Sequence, residues 1–204
     1  MRLAYEASLM TTVEVEYIPG FLAFRESPPL QQLLEHVRQS SPTHFPDMLL
    51  VDGNGLLHER SCGLASYLGV QIDLPTIGVS KTFFKLPGIE AEDVSSRAAA
   101  ELTQSGSFFD LIDSSGRVKG RAMRATKKSS RPIFVSVGHR VSLDTAVRVV
   151  HGSCEFRLPE PIRHADQVSR TLLKAFCLNA STGQRPWSLA GGPEFSERVF
   201  PTAK

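Results

Sequence analysis

Short apolar runs, separated by polar turns, recur along the chain. Strands are predicted where such a run is too short for a helix, at 2–10, 48–51, 76–79 and 133–137. A short helix is predicted over 62–70, between the second and third of these strands. Because a strand–helix–strand unit places its strands side by side in the same direction, we expect that pair to be parallel.

Apolar residues at helical spacing predict three longer helices. In the first, over 28–39, the apolar positions are Leu30, Leu33, Leu34 and Val37. Ser142 suits the N-cap of the second, whose apolar positions are Leu143, Ala146, Val147 and Val150. The third is predicted to start near Pro161 and to bury Ala165, Val168, Leu172 and Phe176.

The remaining patterns set the limits of the folded part. Residues 107–124 alternate around Ser114-Ser115-Gly116, which predicts a β-hairpin. From residue 179 onward Ser, Gly and Pro are frequent and no period is sustained, so we expect a disordered tail over 179–204. The sequence therefore predicts one α/β domain over 1–178.

Polar or charged residues follow three of the predicted strands, namely Asp52, Lys81 and His139. In open α/β sheets, binding sites form at the carboxyl ends of the strands. We therefore expect the three side chains to share one site. Lys81 either neutralises the negative charge that develops on a phosphate during cleavage or simply solvates a strand end. His139, like His58, suits acid–base chemistry near neutral pH.

Asp52 is the most specific of these residues, because Gly-Asn-Gly follows it directly. A carboxylate at the end of a buried strand suits a hard cation such as Mg²⁺, and glycines allow a ligand to approach the backbone. The alternative is an Asx-type turn that ends the strand. Glu26 precedes the first predicted helix, where it is either a second metal ligand or an acid favoured by the helix dipole.

Two further features suit a nucleic acid. Tyr17 stands beside a rigid Ile-Pro-Gly turn, where an exposed ring would stack on a base, although a buried turn tyrosine explains it as well. Basic residues also crowd the segment from Arg117 to Arg131, where they suit either a phosphate backbone or a solvated hairpin edge. They include Lys119, Arg121, Arg124, Lys127 and Lys128.

Composition narrows the class of protein without identifying it. The 204 residues, 41% of them hydrophobic, are enough for one sizeable core. A net charge of +2 and a pI near 8.5 decide nothing about polyanionic partners, since a nucleic-acid site can be a local patch. Three widely spaced cysteines suit neither a disulfide framework nor a zinc site, and no apolar stretch reaches membrane-spanning length. We expect an intracellular monomer without a membrane partner.

Taken in order, several segments resemble the endonuclease V family, and the likeness extends from about residue 3 to 170. The matching segments are 17–26 (YIPGFLAFRE), 51–58 (VDGNGLLH), 63–65 (GLA) with 68–70 (LGV), 75–81 (PTIGVSK), 137–140 (VGHR) and 158–166 (LPEPIRHAD). Several motifs in the same order are far more specific than any one of them.

The resemblance implies a ribonuclease H-like fold, a mixed sheet flanked by helices, with a carboxylate cluster that binds Mg²⁺ or alternatively Mn²⁺. It implies that Asp52 and Glu26 are the metal ligands in this chain. Lys81 and His139 would be the phosphate and active-site groups, and His58 the motif histidine near the metal.

The resemblance also implies how the substrate is recognised. Tyr17, with Ile18 and Pro19, would form a wedge that fills the gap left by an extruded inosine. The base would enter a pocket whose backbone groups suit its edge. The lining residues of that pocket would be Leu22, Gly53, Asn54 and Gly55.

Three departures from the family pattern set further expectations. Glu16 and Glu59 stand where proline is usual in the family's motifs. Family members also begin with a segment that adds an outer strand pair and another metal-binding aspartate. Met1 falls just before the third strand, so we expect the first strands and that aspartate to be missing, which would weaken metal binding.

The expected function is Mg²⁺-dependent hydrolysis of a phosphodiester near inosine by metal-assisted attack of water. The Asp-Gly-Asn-Gly sequence resembles the animal members more than the bacterial ones, which favours inosine in single-stranded RNA over deoxyinosine in DNA. The resemblance also implies a cytoplasmic and nuclear or nucleolar protein. The alternative is a catalytically impaired chain that binds inosine-containing nucleic acid without efficient cleavage.

Overall fold

A mixed five-stranded sheet and a separate two-stranded ribbon contain the strands of the computed structural model, which describes residues 1–181 and 193–200. In chain order the strands are β1 (Tyr5–Met10), β2 (Leu49–Asp52), β3 (Thr76–Ser80), β4 (Phe108–Ile112), β5 (Val118–Met123), β6 (Ile133–His139) and β7 (Glu194–Val199). The sheet has the order β2-β3-β6-β5-β4. β2 and β3 are parallel, as predicted, while β6 runs antiparallel to both β3 and β5.

Helices cover the sheet because each carries one apolar face. They are α1 (Leu22–Ser40), α2 (Leu64–Ile72), α3 (Ala91–Glu101), α4 (Leu143–Gly152) and α5 (Glu160–Ser181). One core cluster joins β3, β5 and β6 to α4 and the start of α5, through residues such as Ile77, Val135 and Val150. A second joins β4, β5 and β6 to α3, around Phe109 and Leu57. The sheet is thus the rigid frame from which the strand-end loops project.

The start of α1 differs from the prediction. The helix begins at Leu22 rather than near Pro28, so that Pro28 and Pro29 lie inside it and remove two amide donors from its ladder. Tertiary packing outweighs this cost, because Ala23 packs with Leu64 and Leu68 of α2 in a third core cluster. Glu26 is consequently a residue of the helix and not of the segment before it.

The two later helices agree with their predicted positions within a residue. Ser142 caps α4 as predicted, with its hydroxyl accepting a hydrogen bond from the Thr145 amide at 3.2 Å. α5 begins at Glu160, one residue before Pro161, and its buried apolar contact is Ile162. Ala165, which the period placed in the core, is exposed.

The C-terminal segment corrects the expected disordered tail over 179–204. α5 continues to Ser181, and Glu194–Val199 form β7, which pairs antiparallel with β1. Residues 182–192 and 201–204 of the expected tail lie outside the described residues. Within the described part of the chain, no helix combines the length and the apolar character needed to cross a bilayer.

Candidate active site

Lys81 joins two aspartates at the edge of the sheet where the parallel strands β2 and β3 end. Its Nζ lies 2.9 Å from Oδ2 of Asp52 and 3.8 Å from Oδ1 of Asp166. Asp52 is the last residue of β2 and pairs with Val79 of β3, so parallel pairing brings it beside the residue that follows β3. Asp166 comes from α5, and all three side chains are a third to a half exposed, within reach of a ligand.

Glu26 belongs to the same electrostatic environment. Burial raises the pKa of its carboxyl group, the nearby Arg25 guanidinium opposes this shift, and the negative charge of Asp52 adds to it. This influence of Asp52 indicates that Glu26 of α1 lies near the site, whereas the carboxylates within 4 Å of the Lys81 ammonium group are those of Asp52 and Asp166.

Arg157 fixes the backbone beside Lys81. Its Nη2 donates to the carbonyl oxygens of Lys81, at 2.6 Å, and of Pro132, at 2.8 Å. The guanidinium is partly buried and its Nε has no hydrogen-bond partner among the described residues. Burial, reinforced by the charge of Arg131, lowers the pKa of Arg157. This desolvated cation holds the ends of two loops together.

The loop that follows Asp52 is built on close backbone contacts. The Gly55 amide donates to Oγ of Ser136 at 2.8 Å, and the Gly53 amide donates to the Val79 carbonyl at 3.1 Å. The fold thus uses the two glycine amides that the resemblance offered to a base. Oδ1 of Asn54 is buried and has no hydrogen-bond partner in the described structure, which is unusual for a buried polar atom.

Tyr17 and Ile18 project from a tight, anchored turn. The Phe21 amide donates to the Ile18 carbonyl at 2.9 Å, with Pro19 and Gly20 at the central positions and a Gly20 φ of 79°. This is the type II arrangement, which places Pro and Gly in that order. Tyr17 is 61% exposed, so its ring is not the buried turn tyrosine that was the alternative prediction.

Arg60 connects this turn to the loop after β2. Its guanidinium stacks on the Phe21 ring, 3.9 Å from the centroid, and donates from Nη1 to the Gly20 carbonyl at 3.2 Å. Leu22, another residue expected to line the base pocket, is the first residue of α1 and is half-buried. The turn and the loop after β2 are therefore held side by side.

His58, two positions before Arg60, is only 8% exposed. Its Nδ1 accepts a hydrogen bond from the Arg60 amide at 3.2 Å, and its ring stacks on Phe84. Burial lowers the pKa of the imidazole; the negative charge of Glu59 opposes this shift and the positive charge of Arg60 adds to it. A role for His58 near a metal stays a prediction.

His139 does not join the site, which corrects the expectation that the three strand ends meet. β6 is antiparallel to β3, and His139 pairs with Thr76 at the start of β3. Its ring nitrogen Nε2 lies 3.2 Å from Oδ1 of Asp73, the C-cap residue that follows α2. Because carboxyl ends meet only in parallel strands, His139 lies at the opposite edge of the sheet from Asp52 and Lys81.

Several residues of the site cannot be identified from the sequence residue by residue. Asp166 sits within a matching segment of the sequence, but no pattern of its own marks it as a partner of Lys81. Arg157 and Ser136 act through backbone contacts that only the tertiary fold creates. Arg60 follows the motif histidine by two positions, so its spacing was visible although its contact with Gly20 was not.

The donor set fits a hard divalent cation. Asp52 and Asp166 share one lysine, and the charge of Asp52 influences Glu26, so the region offers the carboxylate oxygens that such cations prefer. In the described residues, however, no three Asp, Glu, His or Cys side chains are close enough together to hold a metal ion as they stand, and Lys81 bridges the aspartates.

Comparisons with known proteins agree with this architecture. A profile of the Endonuclease V family matches residues 1–167. Mouse endonuclease V is 44% identical over 174 residues, which cover 85% of this chain and 52% of the mouse protein. The crystal structure of human endonuclease V superposes with a TM-score of 0.77 at 44% identity, covering 80% of this chain and 68% of that chain.

A structure of Ciona intestinalis endonuclease V in complex with a 24mer DNA containing an inosine followed by a ribo-adenosine gives a TM-score of 0.78 at 34% identity. It covers 85% of this chain and 81% of that chain. The mixed sheet flanked by helices, with acidic groups and a lysine at the strand ends, defines a ribonuclease H-like domain. The chain belongs to the endonuclease V family. It spans about half the length of the mouse relative.

Proposed function

We propose that this chain is an inosine-directed endonuclease that hydrolyses a phosphodiester with the help of Mg²⁺, or of Mn²⁺. The observation that carries the proposal is the convergence of Asp52, Asp166 and Lys81 at one edge of the sheet. Membership of the endonuclease V family supports it, as does the inosine-containing DNA bound to the Ciona intestinalis relative.

Asp52 and Asp166, with Glu26 beside them, would hold the metal, which supplies activation of water and stabilisation of the leaving oxygen. Lys81 has a separate task in this mechanism. Its ammonium group is held at the site by the aspartates and by Arg157, which bonds the backbone of the same residue. From there it offsets the negative charge that develops on the phosphate in the transition state.

Recognition of inosine is assigned to the turn and the loop after β2. Tyr17 and Ile18 are exposed on a rigid turn and suit insertion beside an unstacked base. The unpartnered Oδ1 of Asn54 suits a hydrogen-bond donor on the edge of an extruded base. We propose RNA as the favoured substrate, a monomeric state, and action in the cytoplasm and nucleus.

The test is cleavage of matched 24-nucleotide RNA and DNA strands, each with one inosine, with Mg²⁺ and after its removal by a chelator. Asp52→Asn should abolish cleavage, and Lys81→Met should reduce it by about 100- to 1,000-fold, as for loss of one charge-stabilising group. The matched control is Asp73→Asn, which removes an aspartate from the opposite edge of the sheet and should cleave normally. Near-normal turnover of Asp52→Asn would remove the proposed active site.

A binding protein with impaired cleavage is the second candidate. It is favoured by the bridging position of Lys81 and by the lack of a ready three-ligand cluster in the part of the chain that the structure describes. Under this alternative the chain binds inosine-containing RNA but cleaves it slowly at any Mg²⁺ concentration. Whether or not the chain cleaves RNA efficiently, Tyr17→Ala should weaken its binding to inosine-containing RNA by about 1–3 kcal/mol, the value of a lost stacking contact. Equal binding of the parent and Tyr17→Ala would exclude the wedge.

A further inference from the structure

We propose that the loop of residues 124–132, which joins β5 to β6 and is called the basic loop here, is a second phosphate-binding surface that holds the nucleic-acid strand beside the active site. The inference rests on the proposed function and extends it. It assigns the contacts with flanking nucleotides to Lys127, Lys128 and Arg131.

The basic loop emerges at the active-site edge of the sheet. Because β6 is antiparallel to β3, Phe134 near its start pairs with Ser80, the residue before Lys81. Nη2 of Arg157 donates to the carbonyls of both Lys81 and Pro132, so the end of the loop is fixed next to the catalytic lysine. Lys128 lies four positions before Pro132, a span of at most about 14 Å between their Cα atoms. The lysines therefore lie within a few nucleotides of the reacting phosphate.

Several of the basic side chains between Arg117 and Arg131 pair with carboxylates of the protein itself. Lys119 pairs with Asp113 at 3.3 Å, and Arg121 pairs with both Asp110, at 2.7 Å, and Asp144, at 2.6 Å. These contacts decide in favour of structural roles for the hairpin cations. Lys127, Lys128 and Arg131, by contrast, form no ion pair with a carboxylate of residues 1–181 or 193–200, and all three are exposed.

Arg124 makes the basic loop rigid. Its guanidinium donates to four carbonyls, those of Leu102 at 3.0 Å, Thr103 at 3.1 Å, Thr126 at 3.3 Å and Lys127 at 2.8 Å. The Thr126 amide also donates to the buried hydroxyl of Ser129 at 3.2 Å. The backbone is thus fixed from within while the lysine side chains point outward. A prepared surface of this kind loses little entropy when a ligand binds.

A polyanion is the partner that this surface fits. Its three exposed cations have no ion pair with a carboxylate of the described residues, and the charge of Arg131 adds to the burial that lowers the pKa of Arg157. Contacts of lysines with phosphates release bound counterions. Each contact therefore adds about 0.7 to the steepness with which the logarithm of the single-strand binding constant falls with the logarithm of the salt concentration. Two lysines would then add about 1.4, and their advantage should shrink about sevenfold between about 50 and 200 mM salt.

The test measures binding of a fluorescent 24-nucleotide inosine RNA, and of the same RNA with guanosine in place of inosine, without divalent metal and over that salt range. The variant is Lys127→Ser/Lys128→Ser, which keeps the backbone carbonyl of residue 127 that accepts the hydrogen bond from Arg124. The matched control, Arg148→Ser/Lys174→Ser, removes two exposed positive charges from α4 and α5. Lys127→Glu/Lys128→Glu provides a stronger version of the same change, and the melting temperature of each variant reports its folding.

The proposal predicts that the serine variant binds both RNAs more weakly at low salt and shows a salt dependence lower by about 1.4, while the control keeps the parent's salt dependence. Parent-like salt dependence in both the serine and the glutamate variants would overturn it. A parent protein that does not distinguish inosine from guanosine would instead count against the proposed function, whichever result the basic loop gives.

Discussion

Replacement of Ser136 by alanine tests how the fold holds the loop after Asp52. Ser136 is fully buried in β6, and its Oγ accepts the hydrogen bond of the buried Gly55 amide at 2.8 Å. Alanine keeps the shape of the strand but leaves that amide without a partner, which costs about 1–3 kcal/mol. For a chain of this length each kcal/mol lowers the melting temperature by about 2–4 °C, so a loss of about 2 kcal/mol gives a fall of about 4–8 °C.

The matched control is another buried serine that contacts the same strand. Ser66 lies in α2, and its hydroxyl donates to the Val137 carbonyl at 3.5 Å, the limit of a hydrogen bond. Ser66→Ala should therefore cost less than about 0.5 kcal/mol, since alanine is also the better helix former. Urea unfolding of both variants gives the comparison. Equal losses for the two, or an unchanged stability of Ser136→Ala, would refute the role given to the Gly55 hydrogen bond.

Two further predictions concern the same region. Burial, aided by Asp52, raises the pKa of Glu26, so the native state holds that proton more tightly and its stability falls as the pH rises above the ordinary value of 4.5 through the folded value. Glu26→Gln should accordingly melt higher than the parent at about pH 8 without metal, and equally at about pH 4; a lower melting temperature at pH 8 would contradict this. Gly55→Ala should lower the free energy of unfolding by several kcal/mol, because its Cβ would lie 2.0 Å from the Val137 carbonyl oxygen. Gly152→Ala is the control: its Cβ meets nothing within 4 Å, so in the same unfolding assay it should be neutral or gain up to about 1 kcal/mol.

The strands and helices that have a clear period were predictable, and those decided by tertiary contacts were not. The parallel β2–β3 unit, the hairpin of β4 and β5 and the Ser142 cap follow from local pattern. The start of α1 did not, since Pro28 marks a boundary that packing against α2 overrides. β7 was missed because its six residues are largely polar, and only their pairing with β1 makes them a strand.

The site was predictable in so far as it depends on parallel strands. Asp52 and Lys81 lie together because β2 and β3 end at one edge. His139 was placed with them on the assumption that every strand in the sheet runs the same way, and one antiparallel strand moves it to the other edge. Asp166 could not be assigned by position, since a helical residue becomes a neighbour of Lys81 only through the packing of α5.

The pairing of β1 with β7 also constrains the order in which the protein folds. Tyr5 and Val199 are partners, and the Phe200 amide donates to the Ala4 carbonyl at 2.9 Å, so the ribbon joins segments that almost the whole sequence separates. Closing so long a loop is slow, and on the ribosome it must wait until residue 199 has emerged from the exit tunnel. The β1 strand therefore has no β7 partner until residue 199 is available, while the strands of the five-stranded sheet, which lie between β1 and β7 in the sequence, can already assemble.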